Sequence, residues 1–526
     1  MITFDSLTMK AFIEENSKFF TGSRIQKIQQ PTRREVLLTL RNNGETRKFY
    51  ININPQFHHI CFINKETEAR RFLEIPLKPP MFCMQLRKHL ENAKIVKVNQ
   101  PNHERIFEIY VETFNELQEK IELCLAIELM GKHSNIILYN ADTNIIIGCA
   151  HNVGAEKSRE REMAGTLPYI YPPKQDKFDI SQVQGEIIEP LEKFFFFSKA
   201  FATQCKGQPL SRLKDFAELH GVSPAISRDY SQFSLFSELL PDAQVCTSVN
   251  EMIDEYFSYH IERGKIKSIL QELKTLINKK LSKHRKNETL MLNQLEKEEK
   301  GFEYRLWGDL IMANLYNGKD FAPSIEVYDW ENNRNITLEL DPLLTLKDNA
   351  NKFYKRYNKS KKSIEKINEM LEENEIQINY YEQTLYALDE AQNYQELLDI
   401  KNEIIPVFQT AKKSTQPDIL EKEILGFKVF IGRNNKQNDF IVSKLSKDED
   451  YWFHTHGCAG SHVLLKCAVP SDELIFECAK LAKEYSSAKL SSKVGVIYTQ
   501  RKHLKKPPKA PLGYVIYKNE EEIIIS

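Results

Sequence analysis

Apolar and polar residues alternate in short runs from Met1 to about Pro173, and turn residues separate the runs. The run REVLLTLRNNGETRKFYININP is typical of a β-hairpin, because Asn-Asn-Gly lies between two alternating segments. Two stretches, SLTMKAFIEEN and MFCMQLRKHLENA, have helical spacing instead. Residues 1–173 are therefore expected to form a mixed α+β domain with mainly antiparallel strands.

The proline-rich stretch YPPKQDKFD marks a boundary at Tyr171–Asp179, and residues 174–250 are predicted to form a small helical domain. Within it, Gly221, Ser223 and Pro224 separate two helical patterns. A helix–hairpin–helix turn has this composition and holds a phosphate through main-chain amides at a helix start. An ordinary capped turn explains the same residues, and the sequence leaves both interpretations open.

Residues 251–408 are highly charged, and their apolar residues follow heptad spacing. The clearest series steps by three and four residues: Ile364, Ile367, Leu371, Asn374, Ile378, Tyr381, Leu385 and Leu388. A coiled-coil seam requires this spacing, and a buried asparagine such as Asn374 fixes its register. An earlier series begins at Ile266, and a small β insert is predicted between the two series, at residues 319–345. We therefore expect a long antiparallel coiled-coil hairpin, an arm of roughly 60 Å at 1.5 Å per residue, rather than pairing between chains.

A polar linker at residues 409–425 leads to a final α/β domain at residues 426–526. The nine cysteines include no Cys-x-x-Cys pair, which argues against a disulfide framework or a cysteine-only zinc site. The 73 basic and 73 acidic residues balance, so any basic surface is local. The first residues contain no signal-peptide segment, and no apolar run reaches the ~20 residues of a membrane helix. We therefore expect a cytoplasmic protein with no membrane partner.

The stretch DYWFHTHGCAGSHVLL, Asp450–Leu465, has the densest candidate chemistry in the chain. Four potential metal ligands fall within it: His454, His456, Cys458 and His462. Their spacing is not among the common zinc-ligand spacings, and the glycines between them indicate a turn. We therefore expect no metal and no cofactor, and no catalytic residue stands out.

RNA recognition explains this stretch better. The predicted RNA-binding residues are Trp452, His454, Ser461, His462, Arg501, Lys502, Lys505 and Lys506. From Lys480 to Lys509 there are nine basic residues and one acidic residue. Aromatic side chains interleaved with lysine and arginine suit base stacking and phosphate contacts. The alternative is that Trp452 and Phe453 are core residues.

A second polar cluster, GKHSN, lies between two predicted strands. Its candidate residues are Lys132, His133, Ser134 and Asn135. Several donors in one turn are typical of a phosphate or RNA-backbone site, and a tight turn with Ser/Asn capping is the alternative. Weaker candidates of the same kind are Arg33, Arg34, Ser158, Arg159 and Arg161.

Several segments, in order, resemble the NFACT family. GFKVFIGRNNKQND followed by DYWFHTHGCAGSHVLL resembles its RNA-binding domain, NFACT-R, while SRIQKIQQP, ELMGKHSNIILYN and YIYPP resemble its N-terminal domain, NFACT-N. LWGDLIMANLY resembles the coiled-coil section, so the resemblance covers essentially the whole chain. For the first domain it implies the fold of the N-terminal domain of formamidopyrimidine-type DNA glycosylases.

RqcH-type members of this family bind a large ribosomal subunit that still holds a peptidyl-tRNA after a stall. The resemblance implies that this chain recruits tRNA, expected to be alanyl-tRNA, for template-free extension of the nascent chain. The implied partners are large-subunit rRNA with its stalk-base region, tRNA and the nascent peptidyl-tRNA. The chain is expected to act there as a monomer.

The tRNA contact of the family is attributed to an Asp-Arg pair, which falls on Glu104 and Arg105 in this chain. Glutamate is one methylene longer than the usual aspartate, which shifts the carboxylate by about 1 Å and bears on tRNA and amino-acid choice. A surface ion pair is the alternative for these two residues. With them, residues 132–135 are assigned to tRNA binding.

Two other classes of protein stay open. Bacterial members of the family also carry the name fibronectin-binding protein, which suggests an adhesin, although the expected lack of a signal peptide argues against it. A DNA-glycosylase-like DNA-binding protein is the other class. Those glycosylases use an N-terminal proline amine as nucleophile, whereas this chain starts Met1-Ile2-Thr3, so we expect no enzyme activity.

Overall fold

The computed structural model describes residues 4–115, 117–154, 156, 161–185, 187, 189–405, 417–508 and 510–526. The chain divides into two compact units, the first ending at Lys265 and the second beginning at Ile266. None of the described helices is both long and apolar enough to cross a membrane.

A nine-stranded antiparallel sheet forms the centre of the first unit, in the order β4-β3-β2-β1-β5-β6-β7-β8-β9. Its strands are β1 (Arg24–Thr32), β2 (Glu35–Asn42), β3 (Glu45–Asn52), β4 (His59–Ile63), β5 (Lys94–Asn99), β6 (Ile106–Phe114), β7 (Lys120–Glu128), β8 (Asn135–Asn140) and β9 (Ile146–Cys149). The predicted hairpin is confirmed, since Asn43 and Gly44 have φ values of 47° and 84° between β2 and β3. A two-residue turn requires positive φ at both positions, which asparagine and glycine tolerate.

Three helices pack with this sheet: α1 (Ser6–Phe20), α2 (Lys65–Arg70) and α3 (Met81–Leu90). Asp5 caps α1, because its Oδ1 accepts a hydrogen bond from the Thr8 main-chain N–H at 2.9 Å. The core beneath α1 contains a cluster of phenylalanines, namely Phe12, Phe20, Phe49, Phe62 and Phe107. Their ring centroids lie 5.0 to 6.2 Å apart, within the range in which tilted and edge-on aromatic pairs attract each other. The predicted mixed α+β, mainly antiparallel domain is confirmed.

Residues 180–248 form a smaller part of the first unit. It contains α4 (Lys199–Gln204), α5 (Leu210–Ala217) and a three-stranded sheet of β10 (Ala225–Ser227), β11 (Phe233–Ser234) and β12 (Ala243–Val245). The prediction of a helix after the Gly221 turn is wrong, because the chain enters β10 there. Ser223 precedes a proline, which disfavours helical backbone, and its N–H donates to the Leu235 carbonyl instead. The helix–hairpin–helix interpretation of this turn is therefore corrected.

The second unit contains the arm. Helix α6 (Val249–Glu299) begins in the first unit and continues into the second, and α8 (Leu346–Glu390) runs antiparallel to it. Ile269, Leu273 and Ile277 of α6 share a buried cluster with Ala387 and Leu388 of α8. The 45 residues of α8 make a rod of about 68 Å. The predicted coiled-coil hairpin is confirmed.

Asn374 lies at the buried seam, as its heptad position predicts. Its Nδ2 donates to the His284 carbonyl at 3.0 Å, and its Oδ1 lies 2.8 Å from His284 Nδ1. The asparagine therefore pairs with one position of the opposite helix and fixes the register of the hairpin.

The far end of the arm consists of α7 (Glu303–Ala313) and a strand pair, β13 (Ser324–Asp329) and β14 (Arg334–Glu339). This strand pair lies within the predicted β insert. Helix α9 (Tyr394–Ile404) returns along the base of the arm and packs on the same buried cluster as Leu273.

The C-terminal part of the second unit is a six-stranded sheet in the order β15-β16-β18-β17-β19-β20. Its elements are β15 (Leu420–Ile424), β16 (Phe427–Ile431), α10 (Asn435–Phe440), β17 (Tyr451–Thr455), β18 (Val463–Leu465), α11 (Asp472–Glu484), β19 (Val494–Gln500) and β20 (Glu521–Ile525). Its strand pairs are antiparallel, so the domain is α+β where an α/β arrangement was expected. Antiparallel neighbours do not need the helical crossovers of a parallel sheet: Leu425 and Gly426 alone connect β15 to β16.

Candidate nucleic-acid interface

The loop between β5 and β6 positions Glu104 and Arg105. Asn102 and His103 within this loop have φ values of 53° and 58°. Left-handed backbone at a non-glycine residue is unfavourable by about 1–3 kcal/mol and is concentrated at functional sites. The His103 ring is fixed by Phe195 and Phe196, at centroid distances of 5.0 and 4.8 Å. The surrounding side chains therefore hold a strained loop directly before the two candidate residues.

Glu104 is buried, and its carboxylate is hydrogen bonded within the protein. Its Oε2 accepts from Gln175 Nε2 at 2.6 Å, and its main-chain carbonyl accepts from Gln100 Nε2 at 2.9 Å. It makes no ion pair with Arg105 within the described residues. The surface ion pair considered for these two residues is therefore wrong.

Arg105 is partly buried, and burial lowers the pKa of its guanidinium against the attraction of Asp5 and Glu104. Both of these acids hydrogen bond elsewhere, Glu104 with Gln175 and Asp5 with Thr8 and Ser198. Within the described part of the chain, the Arg105 side chain has no hydrogen-bond or ion-pair partner. The Arg105 guanidinium nitrogens are not among the buried atoms that lack a partner, so they are open to solvent and free to bind an anion.

Burial lowers the pKa of the Lys177 ammonium. Lys177 also lies close enough to Glu104 and Arg105 to interact electrostatically with both. Its side chain likewise has no hydrogen-bond or ion-pair partner among the described residues. Two cations beside one strained loop form a site that a phosphate would stabilise. Lys177 and Gln175 could not be predicted from the sequence, since about seventy residues separate them from Arg105 and no local spacing connects them.

The GKHSN turn divides into two kinds of residue. Ser134 and Asn135 are buried, and they bond to the protein itself: Ser134 Oγ donates to the Gly131 carbonyl at 2.8 Å, and Asn135 Nδ2 donates to the His151 carbonyl at 2.8 Å. Assigning these two residues to tRNA binding is therefore corrected in favour of the capped turn. Lys132 and His133 are exposed and stay candidates.

The weaker arginine candidates differ from one another. Arg33 and Arg34 are exposed and lie near His151, whose pKa is lowered by burial and by both arginines. Arg161 forms an ion pair with the buried Glu128, so its charge already has a structural role within the protein. Ser158 and Arg159 lie outside the described residues, as do Met1, Ile2 and Thr3 at the start of the chain.

In the C-terminal domain, Trp452 is 1% exposed and packs with Val442, Ile497 and Leu504. The prediction that Trp452 forms an exposed stacking surface is therefore wrong, because the segment that includes Leu504 covers this face of the strand. Phe453, on the opposite face, belongs to the main core of the domain.

His454, Ser461 and His462 surround the Trp452 side chain or adjoin it. The His454 ring lies parallel to the indole at 5.8 Å, and the His462 ring lies edge-on at 5.1 Å. Ser461 and His462 are buried, so neither lies on a flat exposed surface. His454 and His462 line an interior cavity together with Trp452. In the described ranges, no three His, Cys, Asp or Glu side chains are grouped closely enough to hold a metal ion.

The basic run of this domain is partly neutralised. Arg501 lies 3.8 Å from Asp448, and Lys506 pairs with Asp439. Lys502 and Lys505 are exposed and have no side-chain partner in the described part of the domain. Lys509 lies outside the described residues. These two free lysines are the stronger candidates for phosphate contacts.

The sequence matches the family of NFACT N-terminal and middle domains over residues 5–208 and 208–418, and the NFACT protein RNA binding domain over residues 420–519. It is 28% identical to the "Rqc2 homolog RqcH" of Bacillus subtilis (strain 168) over 566 residues, which covers 100% of this chain and 98% of that protein. It is 26% identical to the protein of the same name from Streptococcus pneumoniae serotype 2, with the same coverage. It is also similar to the solved N-terminal part of the fibronectin/fibrinogen-binding protein from Streptococcus suis, with 25% identity and a TM-score of 0.43, covering 49% of this chain and 100% of that one.

Proposed function

The chain belongs to the NFACT family, and we propose that it acts in ribosome quality control, as a factor that binds large ribosomal subunits carrying a peptidyl-tRNA. Relatives that align over the full chain bear the name Rqc2 homolog RqcH, which supports this role. Residues 420–519 match an RNA-binding domain, which supports RNA as the partner.

The observation that carries the proposal is the pair of cations at Arg105 and Lys177. Both are partly buried, and neither has a hydrogen-bond or ion-pair partner in the described part of the protein. A nucleic acid supplies phosphates at regular intervals, and a guanidinium binds a phosphate through two parallel hydrogen bonds. We assign these residues, with Glu104 and the exposed Lys132 and His133, to tRNA.

The far end of the arm is the second proposed contact. Tyr316, Phe321, Tyr328 and Trp330 are exposed there, although aromatic side chains are usually buried. Exposed aromatics at the end of a rod of about 68 Å suit an anchor on a distant surface. We assign this end to the stalk-base region of the large subunit.

The chain itself would contribute no catalytic group. The peptidyl-transferase centre of the large subunit would form the peptide bonds, while the protein brings tRNA, alanyl-tRNA in the proposed reaction, to extend the nascent chain without a template. The work of the protein is then binding and placement, which agrees with a candidate interface built of phosphate-binding cations.

Co-sedimentation tests the proposal. Purified full-length protein is mixed with large subunits carrying peptidyl-tRNA, with large subunits lacking it, or with small subunits, and each mixture is separated on a sucrose gradient. We expect most of the protein to travel with the first sample. No association with that sample, or equal association with small subunits, would contradict the proposal.

A matched pair of variants tests the far end of the arm. Trp330→Ser removes an exposed aromatic from it, and truncating an interface anchor typically weakens binding by 2 kcal/mol or more, roughly thirtyfold. Phe114→Ser removes an exposed aromatic from the first unit and should leave the affinity for the large subunit unchanged. Equal effects of both variants would remove the arm from the proposed interface.

A further inference from the structure

A cavity of about 460 Å³ opens between α8 and the C-terminal sheet, within the second unit. Helix α8 contributes Tyr380 and Gln383 to its lining, and the sheet contributes Trp452 and His454. Gln383 ties the two parts together, since its Nε2 donates to the Gly460 carbonyl at 2.6 Å and its Oε1 accepts from the Gly460 N–H at 2.8 Å. The cavity therefore has fixed walls, and its volume is that of an ordinary small-molecule pocket.

Two residues that line this cavity each carry a buried polar atom without a partner in the described part of the chain. Trp452 Nε1 and His462 Nδ1 belong to lining residues that are at most 4% exposed, and neither atom has a hydrogen-bond partner among the described residues. Leaving a buried donor or acceptor unpaired is unfavourable by about 1–3 kcal/mol, and native proteins contain few such atoms. Trp452 and His462 are neighbours in space, with ring centroids 5.1 Å apart, so their two unpaired atoms make this cavity a candidate ligand site.

The charge of the lining restricts that ligand. Among the described residues, the lining contains Glu375 and Glu382 but no lysine or arginine, so an anionic group is disfavoured inside. Burial lowers the pKa of His454 to about 4 and that of His462 well below its ordinary value. Both imidazoles are therefore neutral near pH 7, and a neutral imidazole offers one donor and one acceptor.

Aromatic side chains restrict the shape of the ligand. Tyr514 and Tyr517 also line the cavity and are partly buried. The Tyr517 ring lies 5.9 Å from the Trp452 ring, so the lining offers aromatic surface to a flat group. The main chain of Lys505 pairs with that of Ile516, which lies between these two tyrosines in sequence. The exposed Lys505 thus lies beside the segment that carries the aromatic lining, where a phosphate outside the cavity would meet it.

We propose that this cavity binds an unstacked nucleobase, with the Trp452 N–H donating to an acceptor on the base and the His462 imidazole bonding to its edge. A nucleobase is uncharged and planar, and donors alternate with acceptors along its edge, as the lining requires. The base comes from a splayed nucleotide of RNA or from a free nucleoside or nucleotide. Binding of a nucleobase is inferred from the lining of the cavity. Only the choice of RNA as the source of the base rests on the proposed function.

Calorimetry on the purified full-length protein tests the assignment. The probes are the four nucleosides, an RNA hexamer, and the same hexamer with an abasic central position. We expect either a nucleoside to bind or the intact hexamer to bind at least tenfold more tightly than the abasic one. Nucleoside binding without that preference identifies a free nucleoside or nucleotide as the source, and the preference identifies RNA. If no nucleoside binds and the two hexamers bind alike, the inference is overturned.

Two variants place the ligand in the cavity. His462→Leu removes the unpaired ring atom at similar volume, and replacing an unsatisfied polar group with an apolar one does not by itself destabilise a core. We expect it to weaken base-dependent binding at least tenfold. His503→Gln, in the same domain but outside the cavity lining, should change nothing. Base-dependent binding that survives His462→Leu unchanged overturns the site. Because these measurements contain no ribosome, failure here combined with normal co-sedimentation would leave the proposed function intact.

Discussion

Arg105→Ala is expected to lower the affinity for tRNA without lowering the stability of the folded protein. The structure gives the guanidinium no partner in the described residues, so truncation leaves no buried acceptor unpaired. Burial lowers the pKa of this group, meaning that the folded protein disfavours its charge. The free energy of unfolding should therefore stay within about 0.5 kcal/mol of the wild-type value, or rise.

The expected effect on binding is larger. Hydrogen bonds that involve a charged group are worth about 1.5–3 kcal/mol, and each 1.4 kcal/mol is a factor of ten in affinity. Loss of the Arg105 contact should thus weaken tRNA binding by roughly 10- to 150-fold. Loss of one phosphate contact should also reduce the slope of log affinity against log salt by about one.

Fluorescence anisotropy with labelled tRNA at several salt concentrations measures both quantities, and urea unfolding measures stability. The matched control is Arg47→Ala, because Arg47 is a partly buried arginine of the same unit that already pairs with Glu45 at 2.7 Å. Its affinity for tRNA should change by less than twofold. Unchanged tRNA affinity in Arg105→Ala, or a loss of stability above about 1 kcal/mol, would refute the reasoning.

Three further variants or conditions test other parts of the structure. Arg71→Met should lower the free energy of unfolding by about 3–5 kcal/mol, because Arg71 and Asp254 form a buried ion pair at 2.7 Å; a shift of the urea midpoint measures this. Asn374→Ala should destabilise the arm by about 1–3 kcal/mol, seen as faster hydrogen exchange around His284, and unchanged exchange would argue against the seam contact. Burial lowers the pKa of His454 to about 4, below the ordinary 6.5, so the unfolded chain binds the extra proton between those pH values. The His454 contribution to stability should therefore fall by about 1.4 kcal/mol per unit as pH drops through that window, and His454→Gln should show a shallower dependence.

The elements that follow from local rules were predictable from the sequence. The β2–β3 hairpin needs positive φ at two adjacent residues, and the dipeptide Asn43-Gly44 indicates such a turn. The arm needs a repeat of three and four residues, and that repeat also placed Asn374 at the seam. Such features depend on spacing within a single segment, which a sequence displays directly.

Features that depend on distant segments were not predictable. Strand alternation places Trp452 and His454 on one face of β17, but it does not say whether another segment covers that face. Residues near Leu504 do cover it, and they convert an expected platform into a cavity wall. Likewise, Lys177 joins Arg105 only through folding, and Ser134 and Asn135 have the composition of a binding turn while their bonds stay inside the protein.

Recovery of RNA with the protein tests the central proposal most directly. The tagged full-length protein is purified from its own cells under mild salt, and the bound RNA is sequenced beside a mock purification and the Arg105→Ala variant. We expect large-subunit rRNA without small-subunit rRNA, together with one enriched tRNA species that the variant loses. Recovery of no ribosomal RNA above the mock level would contradict it.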